Sequence, residues 1–162
     1  MELTHLIAFN LTLLSAMAAP GPALLFALRQ SIAGGLVTGI ATGAGLGLMA
    51  AAWTGAALLG LEAAFRLFPW AYVILKFLGA AYLMWIAWGL WKTAHAPLPD
   101  SATPGARAFL GGVLINLANP KSVLFAASVL VVVFPKGLTA AEIALITANH
   151  MFVEWLFYTG FA

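Results

Sequence analysis

The stretch "NLANPKSVLFAAS", Asn116 to Ser128, sets two asparagines, a proline and a lysine inside an apolar run. A lysine at the centre of a membrane helix costs roughly 2.5 to 3.5 kcal/mol even on the lenient insertion scale, so a ligand or a partner has to offset Lys121. A matching stretch lies upstream, "APGPALLFALRQS", Ala19 to Ser31. Each places a proline-centred break before an apolar run that ends in Phe-Ala, Phe26-Ala27 in one and Phe125-Ala126 in the other. Proline removes a backbone donor and clashes with the preceding turn, which frees carbonyls behind the break and N–H groups ahead of it. In lipid such groups must be buried in protein or line a cavity.

Composition sets the class. With 64% hydrophobic and 7% charged residues, the chain lacks the roughly 25% charge of a soluble protein and belongs in a bilayer. Seven Lys and Arg scattered singly form no basic stripe, so nucleic acid is excluded as a partner. Without cysteine there is no disulfide, thiolate metal site or thiol redox chemistry. His5, His95 and His150 fall in different segments without ligand spacing, and neither a metal nor a cofactor is expected. "LTLLSAMAAP" offers a short apolar core and an Ala16-Met17-Ala18 triplet, but its flank carries Glu2 and His5 without Lys or Arg. The run also continues to Leu28, so it reads as a span rather than a cleaved signal.

A crossing needs about 20 predominantly apolar residues, and the sequence offers roughly five on that rule: Leu3 to Leu28, Leu36 to Leu61, Pro69 to Trp91, Phe109 to Phe134 and Ala140 to Ala162. The fold expected is therefore an all-α, polytopic membrane protein. "KTAHAPLPDSATPGAR", Lys92 to Arg107, is the long polar stretch. It divides a first three-helix repeat over residues 1–91 from an incomplete second repeat over 108–162, with 92–107 as the linker loop. With the N-terminus outside, the cytoplasmic connections carry Arg29, Lys92 and Arg107 and the outer ones Arg66 and Lys136, an excess of one charge that favours this orientation. Trp70, Tyr72, Trp85, Trp88 and Trp91 gather near the ends of the third span, as interfacial aromatics do. Lys76 and Glu62 read as snorkelling or loop residues near helix ends.

The second span, "GLVTGIATGAGLG", sets Gly35, Gly39, Gly43 and Gly47 four apart on one helical face, where a neighbouring backbone can approach closely. The stripe would serve packing within the chain or a homo-oligomer through this helix. "GLGLMA" matches the dinucleotide fingerprint formally, yet it follows no strand and lies inside a membrane helix.

Three crossings separate the two proline breaks. A repeat of three crossings, an odd number, inverts its second copy in the membrane, and paired interrupted segments are the sequence pointer to a transporter's binding site. Pro20, Gly21 and Pro22 in one break and Asn116, Asn119, Pro120 and Lys121 in the other are the candidate substrate-binding residues. Half-helix N-termini there favour the anionic group of a ligand. Glu154, in "NHMFVEWLF", falls near the middle of the fifth span with His150 one turn before it on the same face. A desolvated carboxylate at that depth is a candidate proton carrier with His150 extending the path; a static ion pair with Lys121 is the alternative.

"PGP" in the first span, "LKFLGAAYLMWIAWGLWK" in the third, "FLGGVLINLANPKSVLFAAS" in the fourth and the acidic residue before "YTGFA" in the fifth together resemble the LysE/RhtB family of bacterial amino-acid exporters. The match runs in order along nearly the whole chain. The resemblance implies a six-helix, 3+3 inverted-repeat bundle of which this chain lacks the last helix. That agrees with the apolar, unflanked close on "EWLFYTGFA". It also implies export of amino acids such as threonine, homoserine, leucine or lysine across the inner membrane, driven by protons in antiport. Two departures are visible: Ala19 stands where the family frequently has Ser, and Glu154 where it usually has Asp. The competing readings are a non-transporting membrane scaffold and an intramembrane enzyme; for the latter no "GxSxG", "HExxH" or paired aspartates appear.

Overall fold

Wherever a proline follows, the preceding residue is pushed out of the helical region, and both breaks obey that rule. In a computed structural model of the chain, Ala19 before Pro20 has φ −67 and ψ 129, Gly21 before Pro22 is fully extended, and Asn119 before Pro120 has φ −79 and ψ 108. The structure describes residues 1–60, 105–135 and 137–162, together with Leu67, Phe68, Trp70, Val73, Ile74, Phe77, Met84 and Trp88. The rest of the expected third span and most of the linker lie outside the described residues.

The described chain is all-helical: α1 (Leu3–Ala18), α2 (Pro22–Leu58), α3 (Gly105–Ala118), α4 (Pro120–Val133) and α5 (Ala140–Thr159). Prolines open α2 and α4 at their first turns, where a missing N–H costs nothing. Asn119 caps α4 by accepting from the Lys121 N–H at 3.1 Å. A Thr139/Glu142 capping box opens α5. Helix α3 begins at Gly105, so Gly105, Ala106 and Arg107 are helical where the polar composition suggested linker. It meets α4 at 64°, one bent apolar unit.

Helix α2 is 37 residues long and would stretch about 55 Å if straight. It is not straight: Gly35, at φ +67 and ψ −165, interrupts it, a conformation that a Cβ would strain. Leu24 and Ala50 line the same cavity although a straight helix would hold them about 39 Å apart, so the chain doubles back at Gly35. The segment after the first break thus runs to Gly34, beyond the Leu28 expected. Gly35 is the hinge of a helical hairpin rather than the first member of the glycine stripe.

The remaining glycines do pack backbones together. A Cβ on Gly47 would stand 2.8 Å from the Met151 carbonyl oxygen and one on Gly43 3.0 Å from Thr159 Oγ1, both on α5; one on Gly112 would stand 2.9 Å from the Leu46 amide of α2. The partners fall in reverse order along α2 and α5, which are antiparallel. The stripe face is therefore filled by α5 of the same chain, not left open to a second copy. Helix α1 lies antiparallel to α4: His5 is near Phe134 (6.4 Å between ring centroids), Phe9 near Phe125 (5.9 Å), and Ala19 touches Lys121. Polar clasps hold α1 to α5, where Asn149 donates to Asn10 at 2.7 Å and the Met1 amine meets Glu142.

Polarity is distributed as in a membrane protein. Leu11, Ile32 and Val37 are 62%, 70% and 72% exposed, whereas Thr38, Thr42, Thr54, Asn116, His150 and Glu154 are buried. An apolar exterior around polar interior groups suits lipid, where backbone and side-chain polarity must be satisfied inside.

Candidate functional site

The two breaks meet. Lys121, second residue of α4, reaches across to the first break and donates from Nζ to the Ala19 carbonyl oxygen at 2.9 Å. That carbonyl lies at the C-terminal end of α1, where a helix leaves acceptors without intrahelical partners and carries partial negative charge. An ammonium on such an end is favourable, and this contact offsets part of the cost of placing Lys121 among apolar residues.

The opposite wall comes from α5, whose buried face repeats every fourth residue as Ile146, His150, Glu154 and Tyr158. Glu154 is 5% exposed. Its Oε1 accepts from Asn116 Nδ2 at 2.9 Å and its Oε2 lies 3.1 Å from His150 Nε2. His150 Nδ1 lies 2.5 Å from Thr54 Oγ1 on α2, and the rings of Phe9 and Phe125 stand 5.4 and 5.8 Å from the imidazole. If Nε2–H donates to the carboxylate, Nδ1 is the acceptor and the Thr54 hydroxyl the donor. Asn116 Nδ2 donates also to the Leu46 carbonyl oxygen at 3.0 Å, and its Oδ1 is buried with no partner. The string hydroxyl–imidazole–carboxylate has the order of a nucleophile relay, but Thr54 is fully buried and out of reach of any substrate.

Between the walls lies a cavity of about 40 Å³, room for roughly two or three waters. Gly21, Asn119, Lys121, His150 and Glu154 line it, with Tyr158 and Ser122. Lys121 and Glu154 thus share one cavity with separate partners, Ala19 for the first and Asn116 and His150 for the second.

Other expected site residues are placed differently. Pro20 and Pro120 are exposed and point no group inward; what they contribute is the break itself. Asn116 stands behind Glu154 rather than on the cavity wall, because α3 approaches α2 through Gly112 and Gly45 and directs the amide at the carboxylate. The two half-helix N-termini are not equivalent. In α4 the first donors are already used: Asn119 Oδ1 takes the Lys121 N–H, and the Asn119 carbonyl takes those of Ser122 and Val123. In α2 there is no side-chain cap, Pro22 has no N–H, and the first bond is Leu25 N–H to Gly21 O at 3.0 Å. The Ala23 and Leu24 amides are the open donors, and both residues line the cavity.

The sequence reading missed Thr54 and Tyr158. Tyr158 was visible in principle, four residues after Glu154 on the same face. No local signal marks Thr54, whose partner is 96 residues away.

Residues 14–162 match the family described as LysE type translocator. The chain is 29% identical over 157 residues to an uncharacterized membrane protein of Pseudomonas aeruginosa, covering 87% of this chain and 72% of that protein. It is 30% identical over 122 residues to the threonine efflux protein of Escherichia coli K12 (70% of this chain, 59% of that one). It is 29% identical over 131 residues to the homoserine/homoserine lactone efflux protein of Salmonella typhimurium (78% and 60%). The matches thus span about three fifths of the length of these two efflux proteins. No solved structure matches.

Proposed function

The chain belongs to the LysE type translocator family, and from that premise we propose that it exports a small neutral or basic amino acid across the bacterial inner membrane in exchange for protons. The observation that carries this reading is the cavity between the two proline breaks, with Lys121 on one wall and the Glu154–His150 pair on the other. An α-amino acid is a zwitterion, and the cavity offers a complement to each of its charges. The carboxylate pairs with the Lys121 ammonium and the Ala23 and Leu24 amides, leaving the Ala19 carbonyl to be released by Lys121. The substrate's ammonium pairs with the Glu154 carboxylate.

Proton coupling follows from competition for Glu154. Ionised, it holds the substrate's ammonium; protonated, it has no charge to offer and can donate a hydrogen bond instead. His150, in contact with Oε2, passes the proton to and from the carboxylate. Proton uptake thereby displaces substrate, which is antiport. The antiparallel setting of α1 against α4 supports an inverted-repeat arrangement in which the two broken spans rock around this point. An excess of one Lys or Arg in the connections on the other side favours an N-terminus outside.

The test is flux through the protein in sealed vesicles loaded with a mixture of labelled amino acids, with a pH gradient imposed. Uphill movement opposite to the protons, abolished by a protonophore, is the expected result. No flux above that of protein-free vesicles would overturn the proposal in favour of a membrane scaffold.

A further inference from the structure

We infer that the substrate is a neutral α-amino acid with an apolar side chain, and that basic and acidic amino acids are poorly carried. This rests on the exporter reading and narrows it. Among the described residues, Glu154 is the one carboxylate that lines the cavity and Lys121 the one Lys or Arg. A zwitterion's own ammonium and carboxylate use both.

What remains for the side chain is a mainly apolar wall of Leu13, Met17, Leu24, Ala50 and Phe125, together with the uncharged Ser122 and Tyr158. Leu13 and Met17 come from the buried face of α1, in register one turn apart. Ala50 comes from α2 beyond the Gly35 hinge, and Phe125 from α4. The other acidic residues of the described chain are committed elsewhere: Glu142 to the Met1 amine and the Thr139 cap, and Glu2 to the Thr4 hydroxyl at the outer end of α1. A lysine side chain entering this wall would bring an ammonium with no carboxylate to meet it, and a glutamate side chain a carboxylate with no second cation. A buried charge without a partner is strongly disfavoured. An aliphatic side chain instead gains contact with five apolar neighbours.

The test is a panel of exchange measurements on the unaltered protein in vesicles, each with a single labelled amino acid on both sides: alanine, valine, lysine and glutamate. Alanine and valine should exchange at least about tenfold faster than lysine or glutamate. Lysine or glutamate exchanging as fast as valine would overturn the assignment while leaving the exporter reading intact. If none of the four moves faster than in protein-free vesicles, both fall. Leu13→Glu, on the α1 side of the wall and outside the groups assigned to the substrate's charges, supplies the missing carboxylate, and lysine exchange should rise relative to valine. A variant that still exchanges valine with an unchanged ratio counts against the wall as the specificity element.

Discussion

Replacing Glu154 by Gln separates proton coupling from folding, because the structure lets the amide keep both contacts of the carboxylate. The amide oxygen of the replacement can accept from Asn116 Nδ2, and its nitrogen can donate to His150 Nε2 once the imidazole carries its proton on Nδ1 and donates to Thr54. Two hydrogen bonds to a charged group, about 1.5–3 kcal/mol each, become neutral ones of about 0.5–1.5 kcal/mol. The resulting loss of about 2–3 kcal/mol is an upper bound, since the variant no longer buries a carboxylate. The protein should therefore fold, while binding weakens, because the amide, like the protonated carboxyl, offers no charge to the substrate's ammonium. A pH difference of one unit is worth about 1.4 kcal/mol per proton, so antiport of one proton holds a neutral substrate at about a tenfold concentration ratio. In vesicles carrying that gradient, the unaltered protein should approach the tenfold ratio for labelled valine, and Glu154→Gln should settle near one. Exchange of labelled for unlabelled valine should persist in the variant at a raised half-saturating concentration. A Gln variant that still concentrates valine would refute the assignment of Glu154 as the coupling group. Exchange at an unchanged half-saturating concentration would show that the substrate's ammonium does not pair with Glu154.

Lys121→Met removes one hydrogen bond to Ala19, so unfolding in detergent should shift by only about 1 kcal/mol while the half-saturating substrate concentration rises at least about tenfold; unchanged affinity would make Lys121 a strut between the breaks. Thr54→Val leaves His150 Nδ1 buried without its partner and should slow gradient-driven export and alter its pH profile, whereas Thr54→Ser, which keeps the hydroxyl, should restore both. Gly47→Val pushes a side chain against the Met151 carbonyl 2.8 Å away and should cost about 1–3 kcal/mol or more of stability in a thermal melt; Gly55→Ala, whose Cβ would meet Thr147 Oγ1 at an ordinary contact distance of 3.7 Å, serves as the packing control.

Much of the fold was legible because its causes are local. Proline dictates the conformation of the residue before it, so "APGP" and "NPK" announced their breaks without reference to any other part of the chain. Apolar composition over some 20 residues announced the helices and the bilayer in the same way. The spacing of His150 and Glu154 is intrinsic to a helix, and their contact at 3.1 Å needed nothing beyond α5. Where the reading went astray, the cause was not local. A glycine four residues before another looks like one more member of a stripe, and only the doubling back of α2 makes Gly35 a hinge. The two half-helix N-termini looked alike in sequence, yet Asn119 closes one and Gly21, lacking a side chain, leaves the other open. Which partner each buried charge takes was decided by tertiary packing alone. Glycine–glycine approach of α3 to α2 aims Asn116 at Glu154, the antiparallel setting of α2 and α5 brings Thr54 to His150, and the crossing of the two breaks gives Lys121 to the Ala19 carbonyl. Hydrogen bonds act over about 3 Å, and residues separated by tens of positions come within that range only where the whole bundle has closed.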